Sequence, residues 1–488
     1  MPSFPRCSKG IRCTFIRIQV KRIRIQCDKP HRKVGGDKVR TIWKHIDLDR
    51  NAQGLLNKAN NMGFIFTDNL EFTYNPCVEI GKLPKTQDGR SGWQGCNLTE
   101  LNGSMCNTPE QFYEACVAGS VLGTLQAGYT DFPFLSGASK EIFEHESLIG
   151  VSVTGWMNNP EVLFNPEVMR KGAEIVKQIN KEVATIIGIN PAARCTAVKP
   201  SGNASVLLGT ASGIHGEHSK HYIRHVQMNT EGEVAQLFNQ HIPEMVENSV
   251  WSANGSDIAV CFPVTTPEGS IYKHDLLGVK QLEYVKICQQ NWIEYGTNVD
   301  LCVDKNLRHN VSNTITVDNW EEVTKYVYEN RKWFCGISFL AATGDKAYPQ
   351  APFTEVFMAD EILAKYGNAS MFASGMITRA LDAFGNNLWN ACSTALGYGE
   401  DLSIATHENA MKRDWVRGFD KFSEKWFDDD KQITSDMLKD VYNLHKWCKI
   451  TSSIRDIDWS TELKEKRYTD ADTLGAVACA GGVCEITF

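Results

Sequence analysis

The sequence predicts an α/β fold with a mainly parallel sheet or barrel, because segments typical of strands alternate with segments typical of helices. The apolar run at residues 148–155, which leaves through a glycine, indicates a buried strand. Residues 166–187, with apolar positions three and four apart, indicate a helix. A chain of 488 residues can form a large core, and we expect one large domain with appendages.

Individual residues signal where the helices begin and end. Thr108 can cap a helix that begins at Pro109, and Gln111 stands at the capping-box position. Gly188 should end the helix over residues 166–187. Further along the chain the pattern predicts strands at residues 313–317 and 336–341, and helices at residues 319–333 and 436–449.

Composition excludes several classes of protein. The chain is 42% hydrophobic and 22% charged with a net charge of −7, and it has no apolar run of membrane-spanning length. We therefore expect neither a membrane nor a nucleic acid as partner. Sixteen cysteines at irregular spacings, without a secretory signal, predict reduced thiols in the cytoplasm, or in the host cytoplasm if a virus encodes the chain.

Three regions differ in character. Residues 1–36 are a basic extension, which is either an arm for an anionic partner or a poorly packed segment. Residues 37–455 should form the main domain. Residues 456–488 should be a flexible tail, because their end is rich in Ala and Gly and offers few side chains to pack.

A short segment, NPCVEI, places an amide, a thiol and a carboxylate close together. If this segment is extended, Asn75, Cys77 and Glu79 share one face. Pro76 suits a loop tip or a sheet edge. The plainer alternative is a buried cysteine beside a solvated glutamate.

Other cysteines suggest redox chemistry more than metal binding. Cys96 alone reads as a core cysteine, and its nineteen-residue separation from Cys77 does not match zinc-site spacings. Cys479 and Cys484 are separated by four small residues in the tail, so their sulfurs can meet and exchange. We expect no metal, although a zinc site at the tail is the alternative.

The segment from Ser201 to Ser205 follows a predicted strand and can open a helix. Its small side chains, those of Ser201, Gly202, Asn203, Ala204 and Ser205, leave amide groups available to an anion such as phosphate. An ordinary strand-to-helix turn has the same composition.

Eight motifs in order resemble one family. They are NPCVEI, GCNLTELN, LIGVSVTG, KPSGNASVLLGTASGIHG, HYIRHV, HNVSNTITV, GDKAYPQAPF and CAGGVCEI. From about residue 37 to the end, the chain resembles the catalytic chain of ribonucleotide reductase. It is nearest to the adenosylcobalamin-dependent class and its triphosphate-reducing branch.

The resemblance implies roles for the residues singled out above. Cys77 matches the cysteine that becomes a thiyl radical on a finger loop and abstracts the 3′ hydrogen of the ribose. Glu79 matches the base that takes the 3′-hydroxyl proton, and Asn75 the amide that holds the substrate hydroxyls. Cys96 matches one member of the redox pair that reduces the substrate.

The same resemblance implies a substrate, a cofactor and a reductant. Residues 201–205 match the loop that binds the phosphates of a ribonucleoside tri- or diphosphate. Cys479 and Cys484 match the tail dithiol that thioredoxin or a similar protein restores. The sequence has no adjacent tyrosine pair, such as the di-iron class carries, so the resemblance implies adenosylcobalamin as cofactor.

The chain departs from the family in one large respect. The family's radical cysteine lies near the middle of the catalytic chain, within a ten-stranded α/β barrel, whereas here it is residue 77. We therefore expect the C-terminal half of that barrel, with a finger loop, completed by an N-terminal reductase fragment. The alternatives are a non-catalytic remnant or nucleotide-binding assembly protein of the same fold, and a dithiol or zinc protein.

Overall fold

The computed structural model describes residues 62–67, 69, 71–95, 97–249, 252, 255–342, 350–384 and 435–462. The predicted extension, Cys96, Cys479 and Cys484 lie outside these residues, and what was predicted of them stays a prediction. The chain divides into two units, of which the first comprises Met1–His218 and Thr266–Gly344 and the second Ser219–Thr265 and Asp345–Phe488.

The first unit contains strands and helices in alternation. Its described strands are β1 (Met62–Ile65), β2 (Thr73–Tyr74), β3 (Gly81–Lys82), β4 (Asn97–Asn102), β5 (Ile149–Thr154), β9 (Thr314–Val317) and β10 (Gly336–Ala341). Its described α-helices are α1 (Pro109–Ala127), α2 (Gly137–Glu146), α3 (Pro160–Leu163), α4 (Pro166–Ile187), α5 (Gly202–Leu208), α7 (Val279–Cys288) and α8 (Trp320–Asn330).

Strands β4, β5, β9 and β10, together with residues 194–198, form a row of parallel segments that is here called the arc. Strand β4 runs parallel to β5, and residues 194–198 run parallel to β5 on its other side, through the bridge from Val151 to Thr196. Val198 then bridges in parallel to Val311, which leads directly into β9, and β9 pairs in parallel with β10. Strand β1 closes this edge antiparallel to β10. The prediction of a mixed α/β fold with parallel pairing is confirmed, with five parallel segments among the described residues.

The helix signals read from the sequence are confirmed. Thr108 accepts from the backbone of Gln111 and the capping box is complete, as expected for α1. Helix α4 ends at Gly188, whose φ of +76° is a left-handed conformation that glycine adopts without strain. Helices α1 and α4 pack closely at Gly172, which has no side chain. A Cβ atom at this position would lie 2.5 Å from the Phe112 ring.

The core of the first unit forms between the helices and the arc. Every residue of β5 is buried, as expected for a central parallel strand. Phe112, Trp156 and Trp292 are fully buried there, and the rings of Phe112 and Trp292 lie 5.7 Å apart. Aromatic side chains bury more surface than other apolar side chains, so each of these rings contributes strongly to the stability of the core.

The second unit is built differently from the parallel pattern that the sequence predicts. Its described strands are β6 (His221–Asn229), β7 (Val246–Asn248), β8 (Asp257–Thr265) and β11 (Phe353–Glu355), joined antiparallel in the order β11-β6-β8-β7. Its described helices are α6 (Glu233–His241), α9 (Ala359–Tyr366), α10 (Ala369–Phe384), α11 (Ser435–Ser453) and α12 (Trp459–Glu462). Among the described residues, no helix is long and apolar enough to cross a membrane.

Candidate active site

Residues 75–80 form the tip of a hairpin in the first unit. The hairpin strands β2 and β3 pair antiparallel through only two residues each. At the tip, the Val78 amide donates to the Asn75 carbonyl at 2.9 Å, and the Ile80 amide donates to Asn75 Oδ1 at 2.9 Å. The exposed Pro76 lies in this turn, as its missing amide proton predicts.

The extended conformation expected for this segment is wrong. The tip is a turn, and Val78 has a φ of +63°, which is unfavourable for a β-branched residue and costs about 1–3 kcal/mol. The alternating side-chain directions of an extended strand therefore do not determine where these three polar side chains lie. The Cys77 side chain is exposed, whereas Asn75 and Glu79 are buried, with 8% and 2% exposure.

The chemistry of the Cys77 thiol follows from its surroundings. Although the side chain reaches solvent, the surrounding protein removes part of the thiol's hydration and so raises its pKa above the usual value; the negative charge of Glu79 raises it further, and the Lys199 ammonium opposes both effects. The net shift is upward, so the sulfur keeps its hydrogen at neutral pH. An exposed S–H group can give up a hydrogen atom, whereas a thiolate cannot.

Glu79 has the properties of a general base. Burial raises the pKa of its carboxyl group, while a hydrogen bond from the Asn75 side chain and the charges of Lys199 and Lys82 hold the shift back. Its Oε2 atom is buried and has no hydrogen-bond partner among the described residues. A buried carboxylate oxygen without a partner can accept a proton from a bound hydroxyl group.

The hairpin tip lies against residues 309–312, which lead into β9. Ser312 Oγ donates to the Cys77 carbonyl at 2.6 Å, Asn310 Nδ2 to the Val78 carbonyl at 2.8 Å, and the Asn310 amide to the Glu79 carbonyl at 2.8 Å. Three consecutive carbonyl oxygens of the tip are thus bonded by one segment.

The base of the hairpin is fixed at Gly81. Its amide donates to His309 Nδ1 at 3.2 Å, and its carbonyl accepts from Arg194 Nη2 at 3.2 Å. Burial lowers the pKa of His309 well below its usual value, so the ring is neutral and Nδ1 can accept. No side chain fits at this position, because a Cβ atom on Gly81 would lie 2.0 Å from the Arg308 carbonyl oxygen.

A second polar group on the arc holds the Lys199 charge, which acts on Cys77 and Glu79 at the tip. Lys199 Nζ lies 2.9 Å from Glu100 Oε2, and Ser152 Oγ donates to Glu100 Oε1 at 3.1 Å. The Lys199 amide in turn donates to Ser152 Oγ at 3.0 Å. Because Glu100 and Ser152 are register partners on β4 and β5, the strand pairing determines where the Lys199 charge lies.

The predicted phosphate loop forms the turn into α5. Ser201, with a φ of +58°, precedes the helix, and its buried hydroxyl lies near the Glu100 carboxylate, whose pKa it lowers against the effect of burial. Ser205 Oγ donates back to the Gly202 carbonyl at 2.9 Å. Both serines are buried, whereas Gly202 and Asn203 are exposed and Ala204 is half-buried.

The second unit contains a group of potential metal ligands. Donor atoms of His225, Glu247 and Cys261 lie within 4.8 Å of one another. However, the Lys446 ammonium forms an ion pair with Glu247 and lies 3.3 Å from His225 Nε2. A lysine therefore supplies the positive charge at this position.

Sequence reasoning missed the residues that hold the tip. Arg194, His309, Asn310 and Ser312 were not singled out, although the last three belong to HNVSNT, one of the motifs that carry the resemblance. These residues lie up to 235 positions from their hairpin partners, so spacing alone could not have found them. Cys96, predicted to belong to the site, lies outside the described residues.

The sequence relatives of this chain belong to one class of enzyme. No protein-family profile matches the chain. At the level of sequence, the chain is similar to adenosylcobalamin-dependent ribonucleotide reductases, and the resemblance drawn from its motifs is confirmed.

The individual relatives are ribonucleoside-triphosphate reductases named as adenosylcobalamin-dependent. The probable enzyme of Dictyostelium discoideum is 23% identical over 64% of this chain and 40% of its own length. The enzyme of Lactobacillus acidophilus is 26% identical over 38% of this chain and 32% of its own length. The Euglena gracilis enzyme is 24% identical over 58% of this chain.

A solved B-12 dependent (class II) ribonucleotide reductase covers 60% of this chain at 17% identity, with a TM-score of 0.46 over 42% of that structure's chain. The present chain spans 40% or less of the length of the curated relatives that it matches.

Proposed function

We propose that this chain is the radical-bearing half of an adenosylcobalamin-dependent ribonucleoside-triphosphate reductase. The observation that carries the proposal is the hairpin tip, where an exposed, protonated Cys77 thiol adjoins the buried Glu79 carboxylate and Asn75 amide. The sequence relatives support it by name.

The reaction assigns each group a task. Cys77, as a thiyl radical, takes the 3′ hydrogen of the ribose, while Glu79 takes the proton of the 3′-hydroxyl group and Asn75 holds the hydroxyls. The 2′-hydroxyl leaves as water. Cys96 and a second thiol supply the two electrons and the protons, and they end as a disulfide.

The site fits the proposed cofactor through Cys77. Its thiol is exposed and its raised pKa keeps the hydrogen on sulfur, which is the form that hydrogen-atom abstraction requires. When bound, adenosylcobalamin supplies the radical character that Cys77 needs.

Two further assignments follow from the proposal. Residues 201–205 receive the substrate phosphates, with the exposed Gly202 and Asn203 at the turn into α5. Cys479 and Cys484 carry reducing equivalents from thioredoxin or a similar dithiol protein to the active-site disulfide.

The proposal includes a complementary N-terminal half, on the same polypeptide or on another. In the described part of the chain, β4 pairs only with β5, so its other edge is open to a further strand. The five parallel segments are then half of a ten-stranded barrel. The short coverage of the relatives' length is consistent with this arrangement.

The test is nucleotide reduction with adenosylcobalamin and a dithiol, using this chain alone and then mixed with a separately expressed N-terminal half-barrel. Deoxynucleotide formed by the mixture supports the proposal. Association and nucleotide binding without any product overturn it in favour of a nucleotide-binding protein of the same fold. Within the mixture, Cys484→Ser should permit one turnover and prevent thioredoxin-supported cycling.

A further inference from the structure

We infer that Ser312 is a positioning residue for the radical chemistry, because its hydroxyl holds the backbone of Cys77 and so sets where the sulfur lies. The inference rests on the proposed function for its catalytic consequence. Its structural part, that Ser312 restrains Cys77, is testable without the cofactor.

The geometry singles out Ser312 among the residues that contact the tip. Asn310 bonds the carbonyls of Val78 and Glu79, whereas Ser312 Oγ is the group that bonds the carbonyl of Cys77 itself, at 2.6 Å. Ser312 is 8% exposed, so water competes poorly for this bond.

The restraint is needed because the tip has little intrinsic order. Only two residue pairs join β2 to β3, and Val78 is held at a φ of +63° that its side chain disfavours. Without outside bonds, the residues around Cys77 would relax toward ordinary backbone conformations. The strained turn persists because the surroundings determine it.

Ser312 is itself fixed to the arc of parallel segments. Its amide donates to the Val198 carbonyl at 2.8 Å, and Val311 bridges in parallel to Val198. Two residues earlier, the Asn310 side chain exchanges hydrogen bonds with the backbone of Gly336 on β10. The Ser312 hydroxyl therefore fixes the Cys77 backbone relative to the arc.

Position matters more for this reaction than for ordinary binding. Hydrogen transfer between sulfur and carbon requires near-contact and alignment, and a misplacement of about 1 Å can cost a factor of about 100 in rate. A restraint on the cysteine backbone acts on kcat and leaves substrate affinity largely unaffected.

The experiment compares Ser312→Thr with Ser312→Val, which have the same shape and differ in the hydroxyl group. The first measurement is the rate at which iodoacetamide alkylates Cys77, followed by mass spectrometry of its peptide in the full chain without cofactor. Cys448, an exposed cysteine of the second unit, is the internal reference. We expect Ser312→Val to change the Cys77 rate by about fivefold relative to Ser312→Thr, with Cys448 unchanged.

The second measurement is steady-state reduction by the completed reductase. We expect Ser312→Val to lower kcat at unchanged KM, and Ser312→Thr to restore kcat. Equal alkylation rates at Cys77 in the two variants overturn the inference, whatever the activity. A clear difference in alkylation without any activity of the wild-type mixture leaves Ser312 as a restraint on Cys77 and rejects the proposed function instead.

Discussion

Arg194 and Glu146 form an ion pair that is removed from solvent and supports the base of the hairpin. Arg194 Nη2 lies 2.8 Å from Glu146 Oε2 and 3.2 Å from the Gly81 carbonyl, and the two charged side chains are 0% and 1% exposed. Gln94 and the Val303 amide bond the same carboxylate at 2.7 and 3.0 Å. The pair thus connects the arc, the hairpin and a distant loop through one carboxylate.

Removing one partner of this pair should destabilise the first unit strongly. Arg194→Met leaves the Glu146 charge buried without its partner, which typically costs about 3–5 kcal/mol. Urea unfolding monitored by tryptophan fluorescence measures the loss. Arg90→Met is the matched control, because Arg90 pairs with Glu141 at the surface, and we expect no measurable change. Similar stabilities for the two variants would contradict the structural role of the buried pair.

Gly81→Ala should disrupt the hairpin that carries Cys77. The added Cβ atom would lie 2.0 Å from the Arg308 carbonyl oxygen, which is backbone and cannot rotate away. We expect a loss of stability of more than about 2 kcal/mol and altered alkylation of Cys77. Gly137→Ala, at the start of α2 with no atom within 4 Å of the new methyl group, is the control. A hairpin that tolerates Gly81→Ala would show that the backbone contact is less close than described.

Lys199→Met should raise the pKa of the Cys77 thiol further, because the Lys199 charge favours the thiolate. Alkylation of Cys77 should then become slower at a fixed pH and its pH profile should move upward. Lys82→Met is the matched control, because the Lys82 charge affects the pKa of Glu79 but not that of Cys77. Identical profiles in Lys199→Met and the wild type would remove Lys199 from the electrostatics of the site.

Glu79→Gln should raise the stability of the chain at pH 7 and lower the activity of the completed reductase. Because burial raises the folded-state pKa of Glu79 above its unfolded value, the folded state binds the extra proton more readily, and stability falls as pH rises through that window. The glutamine variant has no charge to bury, so it should be more stable than the wild type at pH 7. The difference should shrink as pH falls toward 4.

The matched control for that comparison is Glu174→Gln, which changes an exposed residue of α4 and should show no such pH-dependent gain. In the completed reductase, Glu79→Gln should also slow turnover, because the base is lost. A stability difference between Glu79→Gln and the wild type that grows on acidification would reverse the sign of the argument.

Local signals predicted much of the fold. The capping residues of α1, the buried strand β5 and the end of α4 at Gly188 follow from short-range chemistry, and the structure has them where the sequence indicates. The antiparallel sheet of the second unit was not predicted, because β6 and β8 pair across an intervening helix and a short strand. Pairing over that separation depends on tertiary packing more than on local pattern.

The candidate site was predicted in part. The grouping of Asn75, Cys77 and Glu79 came from their spacing, but the argument assumed an extended segment, and the turn at Val78 replaces it. The supports of the site come from distant parts of the chain, such as Ser312 and Arg194, and only the fold brings them to the hairpin. Such long-range partners leave no local pattern in a single sequence.

The central claim is that Cys77 performs the radical step. The most direct measurement is formation of deoxynucleotide from a ribonucleoside triphosphate by the completed reductase, with adenosylcobalamin and a dithiol, in Cys77→Ser and Cys448→Ser variants. Our account predicts full loss of product in Cys77→Ser and normal product in Cys448→Ser, whose cysteine is exposed in the second unit. Product formation by Cys77→Ser at the wild-type rate would contradict it.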